Sequence, residues 1–213
     1  MAEQTENLVT MPVDGVQLEG ELILPEGTNG LVVFAHGSGS SRKSPRNNFV
    51  AEVLRDHDLG TFLFDLLTEE EDETYETRFD IDLLTTRLHA ATDWLRDRED
   101  TQERNIGYFG SSTGAAAALR AAAQREDDVD AVVSRGGRVD LAFEQLPQVS
   151  AATMFIVGGA DTQVLELNEE GFDELACTRD LRVVEGAGHL FEGPGELEEV
   201  ADLAAEWFEE HLA

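Results

Sequence analysis

The most constraining feature of the sequence is the stretch at residues 106–114, where an apolar run ends in the pattern Gly-x-Ser-x-Gly. An alanine run follows at once, so the pattern predicts a strand, a very tight turn and a helix. Gly110 and Gly114 carry no Cβ, which allows the strand and the helix to approach closely. Ser112 would then lie at a strained backbone position with its hydroxyl held out at the end of a sheet. A glycine-serine turn that only caps the helix would give the same residue pattern.

Short apolar runs alternate with helical patterns along the rest of the chain. We predict strands at residues 8–11, 16–24, 31–35, 61–64, 105–109, 129–133, 153–157 and 181–184. We predict helices at residues 49–57, from residue 80 onward, after the serine turn, at 164–176 and at 196–212. This alternation indicates an α/β fold with a mostly parallel central sheet and helices on both faces. The turn at Asp14-Gly15 predicts an antiparallel pair of strands at one edge of that sheet.

The remaining segments are predicted from composition. The acidic stretch at residues 69–76 is expected to be a solvated loop, and residues 134–138 are expected to form a loop after a strand. Few residues separate the strands that end at 133 and start at 153, which leaves no room there for a large lid. We see no linker or repeat, so we expect one domain over residues 1–213 with a shallow, open pocket.

The formal net charge of −30 restricts the possible partners. Such a charge argues against binding to nucleic acid or to an anionic membrane. An acidic interaction surface or tail is one interpretation, and adaptation to a cytoplasm with molar salt is the other. The acidic residues are spread along the chain and Lys43 is the only lysine, which favours the second interpretation. We therefore predict a halophilic protein.

Cysteine content and hydropathy bear on location and on cofactors. Cys177 is the single cysteine, which excludes an internal disulfide and a cysteine-based metal cluster. No His, Cys or Asp residues have metal-ligand spacing, so we expect no metal and no cofactor. No apolar run approaches the ~18 residues of a membrane span, and the polar residues 1–7 do not resemble a signal peptide. We expect a cytoplasmic protein.

Polar residues follow several predicted strands at the edge where sites form in parallel sheets. They are the segment at residues 36–41, Ser112, Arg135, Asp161 and His189. A serine hydroxyl needs a base, and the base needs an acceptor that fixes its tautomer. His189 can be the base and Asp161 the acceptor, and the order Ser-Asp-His is the one expected on this architecture.

Each of these residues also has a simpler interpretation. His189 alone is typical of an exposed loop, and Asp161 alone is typical of a helix N-cap. Asp65 and Asp140 are less favoured candidates for the acid. His36 is expected to shape its loop rather than to act as the base.

The attacked carbonyl becomes an oxyanion and needs preorganised donors. The N–H of Thr113, at a helix start, is one candidate. The N–H of Ser38 is the other, although its loop could equally be a flexible connection. The loop lacks the Gly-Lys-Ser/Thr ending of a phosphate cradle.

Together the motifs resemble the α/β-hydrolase superfamily. They are His36-Gly-Ser-Gly-Ser40, Gly110-Ser-Ser-Thr-Gly114, Ser134-Arg-Gly-Gly-Arg138, Gly158-Gly-Ala-Asp161 and Gly188-His-Leu-Phe191. Within the superfamily the chain is similar to the small dienelactone-hydrolase-like branch, including the version that some bacteria carry fused to a phosphoribosyltransferase domain. The resemblance implies Ser112 as nucleophile, Asp161 as acid and His189 as base. Dienelactone hydrolases have cysteine as nucleophile, so the serine here does not imply the dienelactone itself as substrate.

The sequence therefore predicts a hydrolase for a small-molecule ester, thioester or lactone. An acyltransferase or a peptidase with the same triad is an alternative, and so is a non-catalytic binding or regulatory module. Arg135 is a candidate for binding an acidic substrate group, or a structural ion-pair partner. Leu190 and Phe191 are candidates for the acyl pocket, or for core packing. The sequence does not predict the oligomeric state.

Overall fold

The structure is a computed structural model that describes residues 7–213. Residues 1–6, which belong to the polar N-terminal segment noted in the sequence, lie outside the described residues. Eight strands form one sheet, and their bounds are β1 Leu8–Val13, β2 Val16–Ile23, β3 Gly30–Ala35, β4 Gly60–Phe64, β5 Asn105–Ser111, β6 Ala131–Arg135, β7 Ala152–Gly158 and β8 Arg179–Val184.

The sheet has the strand order β1-β2-β4-β3-β5-β6-β7-β8. Neighbours from β4 to β8 pair in parallel, whereas β1 pairs antiparallel with β2, and β2 antiparallel with β4. This confirms the predicted mostly parallel sheet with an antiparallel N-terminal edge. The central strands β3 and β4 are buried at every position because helices cover both faces, as continuous apolar runs predict.

Seven helices accompany the sheet in the described chain. Their bounds are α1 Pro45–Asp56, α2 Glu69–Asp72, α3 Tyr75–Arg78, α4 Ile81–Arg96, α5 Thr113–Gln124, α6 Thr162–Glu174 and α7 Glu196–Leu212. Asp80 caps α4 by accepting the Leu83 N–H, so the predicted helix start is confirmed. The apolar residues that recur at helical spacing along α4 are all buried: Ile81, Leu84, Leu88, Ala91 and Leu95.

The two faces of the sheet carry separate cores. Alternate strand residues such as Val33 and Tyr108 pack with α4 and α5 on one face. Their neighbours Val32 and Phe109 pack with α1 and α7 on the other face. The carboxyl ends of β3, β5, β6, β7 and β8 consequently meet at one rim between these helix layers.

The acidic stretch at residues 69–76 is not the loop that composition predicts. It contains the short helix α2 and the start of α3, and Thr68 and Glu71 form a capping box at the start of α2. Thr68 Oγ1 accepts the Glu71 N–H at 3.2 Å, and Glu71 Oε2 accepts the Thr68 N–H at 2.9 Å. Glu71 also accepts a bond from the buried Arg87 of α4 at 2.6 Å. The segment is thereby anchored to the helix layer.

The predicted loop at residues 134–138 is also partly wrong. Ser134 and Arg135 continue β6, since Arg135 stays in register with Ser111 of β5 and Ile156 of β7. Polar residues such as these are typical of loops, so composition alone did not predict that Ser134 and Arg135 pair with the neighbouring strands. No helix among residues 7–213 has the length and apolarity needed to cross a membrane.

Candidate active site

Ser112 lies at the turn between β5 and α5, with φ 50° and ψ −117°. A non-glycine residue rarely adopts a positive φ, so its neighbours must stabilise this conformation. The Ser112 N–H donates to the Arg135 carbonyl at 3.2 Å, and the Ser112 carbonyl accepts the Arg138 N–H at 3.0 Å. The last residue of β6 and the segment after it therefore hold the turn through both the N–H and the carbonyl of Ser112.

The two motif glycines allow the close approach that the sequence predicts. A Cβ built on Gly110 would lie 2.4 Å from the Cα of Ala115. A Cβ on Gly114 would lie 2.1 Å from the Ala35 carbonyl oxygen at the end of β3. Both clashes involve backbone atoms, so neither position accepts a side chain without a shift of the strand or the helix.

His189 and Asp161 are joined directly. His189 Nδ1 and Asp161 Oδ2 are 2.7 Å apart, and the Asp161 side chain is the more buried of the two. Asp161 occupies the N-cap position of α6, yet its side chain makes no capping bond to the helix. The loops that carry the two residues are themselves linked, because the Ala160 N–H donates to the Ala187 carbonyl at 2.9 Å.

Ser112, Asp161 and His189 line one cavity of about 500 Å³. The cavity is also bordered by residues of the segment after α3, of the start of α5, of the segment after β6 and of α6, namely Phe79, Thr113, Arg138, Asp140, Gln163, Val164 and Leu167. Within residues 7–213 no hydrogen bond joins Ser112 directly to His189. The hydroxyl and the imidazole thus share a cavity, and the carboxylate contacts the ring nitrogen Nδ1.

The two less favoured acids are engaged elsewhere. Asp65 accepts the Arg42 N–H at 2.8 Å and forms an ion pair with the same arginine at 3.2 Å. Asp140 forms two 2.8 Å hydrogen bonds with the Arg138 guanidinium, which raises the pKa of Arg138. Among the three aspartates that sequence analysis considers, Asp161 is the one bonded to His189.

His36 shapes its loop, as predicted. Its Nε2 accepts the Leu66 N–H at 2.9 Å, so Nδ1 carries the proton and donates to the Gly37 carbonyl at 3.1 Å. Burial lowers the pKa of His36 because the charged ring would lose its hydration.

The loop after β3 lies directly against the serine turn. The Ser38 N–H donates to Thr113 Oγ1 at 2.9 Å. A Cβ on Gly37 would lie 3.3 Å from the Ser112 Cβ. The two backbone N–H groups considered as oxyanion donors, those of Ser38 and Thr113, are therefore carried by segments in mutual contact beside Ser112.

The predicted substrate contacts occupy different surroundings. Phe191 is buried in the core between the sheet, α1 and α7, which supports its alternative interpretation as a packing residue. Leu190 is 41% exposed, and neither residue lines the cavity of Ser112. Arg135 is buried beneath the rim and does not line that cavity either.

Sequence reasoning missed the apolar wall of the cavity. Phe79 follows α3, and Val164 and Leu167 belong to α6. Phe79 is remote from every motif, and Val164 and Leu167 lie in the helix after Asp161, where no local signal distinguishes them from ordinary amphipathic positions. The packing of α3 and α6 around the rim brings them to Ser112.

The acidic side chains of residues 7–213 remain accessible to solvent. No Asp or Glu among residues 7–213 is buried, so these carboxylates lie at or near the surface. In the same range no group of three His, Cys, Asp or Glu residues is arranged to hold a metal ion.

The sequence matches the dienelactone hydrolase family over residues 64–212. The chain belongs to the dienelactone hydrolase family. It is an α/β-hydrolase enzyme, and the resemblance noted from its motifs is confirmed. A crystal structure of a dienelactone hydrolase from Anabaena variabilis is 53% identical to the chain, with a TM-score of 0.95 and coverage of 97% of each chain.

Two further similarities concern the length of relatives and the fold. A curated protein of Mycobacterium tuberculosis, named as a phosphoribosyl transferase, is 54% identical over 197 residues, which are 92% of this chain and 44% of that protein. The chain thus spans less than half the length of the curated relatives that it matches, in keeping with the fused version of this branch. An alpha-beta serine hydrolase homologue from Coxiella burnetii is 18% identical with a TM-score of 0.79, covering 95% of this chain and 97% of that one. This last similarity concerns the fold alone.

Proposed function

We propose that this hydrolase cleaves an ester, a thioester or a lactone through an acyl-enzyme, with Ser112 as nucleophile, His189 as base and Asp161 as acid. The observation that carries the proposal is the 2.7 Å bond between His189 and Asp161 in the cavity that also contains the Ser112 turn. The strained φ of Ser112 supports it, because strain of this kind accumulates at functional sites.

The reaction starts with attack on the substrate carbonyl. Ser112 Oγ forms the new bond to the carbonyl carbon while His189 Nε2 takes the hydroxyl proton. The proton on Nδ1 stays in the bond to Asp161, which fixes the tautomer and stabilises the imidazolium. His189 then gives its proton to the leaving alcohol or thiol, and water attacks the acyl-enzyme with His189 again as the base.

The negative oxygen of the intermediate needs two donors. Thr113 N–H is at the first residue of α5, where the helix dipole favours negative charge. Ser38 N–H already donates to Thr113 Oγ1, so we propose that it turns toward the oxyanion as charge develops. The Thr113 hydroxyl would hold the loop in position until then.

The lining of the cavity favours a small acyl substrate. Phe79, Val164 and Leu167 offer apolar contact, while Arg138 and Asp140 offer polar contact. A cavity that is lined by apolar side chains and a few polar groups is typical of small-molecule sites.

Replacement of Ser112 by alanine tests the nucleophile. Ser112→Ala should lower turnover of a short-chain nitrophenyl ester by at least ~10³-fold, with the melting temperature retained. Ser134→Ala is a matched control, because Ser134 lies on the neighbouring strand β6 and its buried hydroxyl has no hydrogen-bond partner in the described chain. Activity retained in Ser112→Ala would refute the assignment, and equal loss in both variants would point to a structural effect.

A second assay separates hydrolysis from acyl transfer. Added alcohols compete with water for the acyl-enzyme, so a transferase would give mostly the new ester, whereas a hydrolase would give mostly the acid. We expect the acid to predominate. Peptide substrates in parallel reactions test the peptidase alternative, and we expect no cleavage.

A further inference from the structure

The two outer strands of the described sheet, β1 and β8, differ in how well they can pair with a further strand. The Leu22 N–H donates to the Asn7 carbonyl at 2.9 Å. Because peptide groups alternate along a strand, those of the even-numbered residues of β1, including Pro12, face away from β2. Pro12 has no N–H to donate, which hinders the addition of a strand at this edge. β8 contains neither proline nor lysine, so its edge lacks these two common protections.

The peptide groups of β8 alternate in the same way between its neighbour and its outer edge. The Gly159 N–H donates to the Val184 carbonyl at 2.9 Å, so the even-numbered peptide groups of β8 face β7. The peptide groups of Arg179, Leu181 and Val183 consequently face outward.

Two observations indicate that this outer edge is accessible. The outward N–H of Leu181 donates to the side chain of the preceding residue, Asp180 Oδ1, at 2.8 Å. Val183 is 43% exposed, although most large apolar side chains of the described chain are buried. The edge therefore offers backbone donors and acceptors and an apolar side chain to a further strand.

The charges of β8 suit pairing with a second copy of the same strand. Two arginines and one aspartate give residues 179–184 a local charge of +1 in a chain of −30, so two copies bring no excess of acids together at the contact. Antiparallel pairing about a two-fold axis matches the outward groups of both copies when it is centred on Asp180, Leu181 or Arg182. Centring on Asp180 or on Arg182 places like charges opposite each other, which is destabilising. Centring on Leu181 places Asp180 opposite Arg182 of the second copy, and symmetry repeats the pair.

The side chains of β8 agree with this register. Val184 packs into the core on the α7 face of the sheet, so Asp180 and Arg182, which share its face, would pair there. Leu181 packs against the core of the opposite face, where it would meet its own copy. In the single chain Arg182 Nε contacts Asp180 Oδ2 at 2.7 Å, and this pair would exchange partners across the axis.

We propose that β8 pairs antiparallel with β8 of a second copy of this chain, in the register centred on Leu181, so that one sheet continues through a symmetric dimer. Arg179 and Val183 form the flanking backbone pairs in this arrangement. The inference does not depend on the proposed catalytic residues. Strands of this length bury little surface, so the dimer should dissociate on dilution.

Proline at residue 183 tests the backbone pairing. Val183→Pro removes an outward N–H at an exposed edge position, where proline is tolerated, and symmetry removes two intermolecular hydrogen bonds. Sedimentation velocity in multimolar KCl should show a wild-type dimer at ~100 μM, and Val183→Pro should raise its Kd by ~5- to 100-fold. Val183→Thr is the matched control, because it keeps the N–H and the branched shape, and its Kd should stay within ~3-fold of wild type.

Three results of this experiment would overturn the proposal. They are a wild-type monomer at all concentrations up to ~500 μM, an unchanged dimer in folded Val183→Pro, and an equal loss in Val183→Thr. An unchanged dimer in Val183→Pro would place the interface on another surface of the chain.

A charge exchange tests the register, and it decides if Val183→Pro does not fold. Arg182→Asp places two carboxylates opposite each other at both symmetric positions, so its Kd should rise by ~10-fold or more. The double variant Asp180→Arg with Arg182→Asp restores opposite charges, and its Kd should return to within ~3-fold of wild type. The comparison is made at the lowest KCl concentration at which all three proteins are folded, because salt screens the pairs. No rise in Arg182→Asp, or no recovery in the folded double variant, would refute this register.

Discussion

The bond between Asp161 and His189 gives the sharpest prediction about catalysis, through the substitution Asp161→Asn. Charges about 4 Å apart at an effective dielectric constant of ~20 interact by about 4 kcal/mol. The ring of His189 is 40% exposed and Asp161 17%, so we take about half of that value, ~2 kcal/mol, as the lost stabilisation of the imidazolium. This corresponds to ~30-fold in kcat.

The tautomer adds a second loss. An asparagine amide can donate to Nδ1 and so favours the ring form with its proton on Nε2, which cannot accept the Ser112 proton. The two effects together predict a fall in kcat of ~10²- to 10³-fold, below the ~10⁴-fold known for a fully buried acid. The assay is nitrophenyl ester hydrolysis under saturating substrate in high salt, with the melting temperature as a check on folding.

Asp65→Asn is the control, because Asp65 is bonded to Arg42 and not to the imidazole. Its kcat should stay within ~3-fold of wild type. Retention of more than a third of the wild-type kcat in Asp161→Asn, or an equal loss of kcat in Asp65→Asn, would contradict the role of Asp161.

Three other predictions concern the fold and its environment. Gly114→Ala should lower the free energy of unfolding by ~1–3 kcal/mol and the melting temperature by a few degrees, because the added Cβ would lie 2.1 Å from a backbone oxygen. Gly188→Ala is the control, because nothing in the described chain lies within 4 Å of its Cβ. This control should change the free energy of unfolding by less than ~0.5 kcal/mol in the same melts. Because the pKa of His36 is lowered in the folded state, the unfolded state binds more protons once the pH falls below the ordinary value of 6.5. The free energy of unfolding of the wild type should therefore fall as the pH drops below about 6.5, and urea titrations should show a smaller fall for His36→Gln. Identical pH dependence in the two proteins would contradict this. The charge of −30 predicts that melting temperature and activity rise between ~0.1 M and multimolar KCl, since the Debye length shrinks from ~10 Å to ~3 Å by 1 M; values unchanged across that range would count against salt adaptation.

The sequence predicted the elements whose signals are local. Buried strands such as β3 and β5 are continuous apolar runs, and the clashes at Gly110 and Gly114 agree with the motif. The helical structure within residues 69–76 was not predicted, because the high density of charge is typical of a solvated loop. The Thr68-to-Glu71 capping box, which favours a helix start, was nevertheless present in the sequence. Acidic residues in a first helical turn are favourable, so a charge run did not exclude helix there.

The substrate contacts could not be predicted in the same way. Phe191 follows the His189 loop, yet its positive φ of 53° turns it into the core rather than toward the cavity. Phe79 and Leu167 reach the cavity only through the packing of separate helices. The sequence likewise cannot show that the buried Nη1 of Arg135 lacks a hydrogen-bond acceptor among residues 7–213, because this depends on the positions of all neighbouring side chains.

Labelling with a fluorophosphonate probe tests the central assignment most directly, because the probe reacts with an activated serine and needs no known substrate. Mass spectrometry of the labelled wild-type protein in high salt should find one modified residue, Ser112, and the folded Ser112→Ala variant should remain unlabelled. Absence of labelling in the folded wild type, or modification at another serine, would contradict the account and favour a binding module on this scaffold.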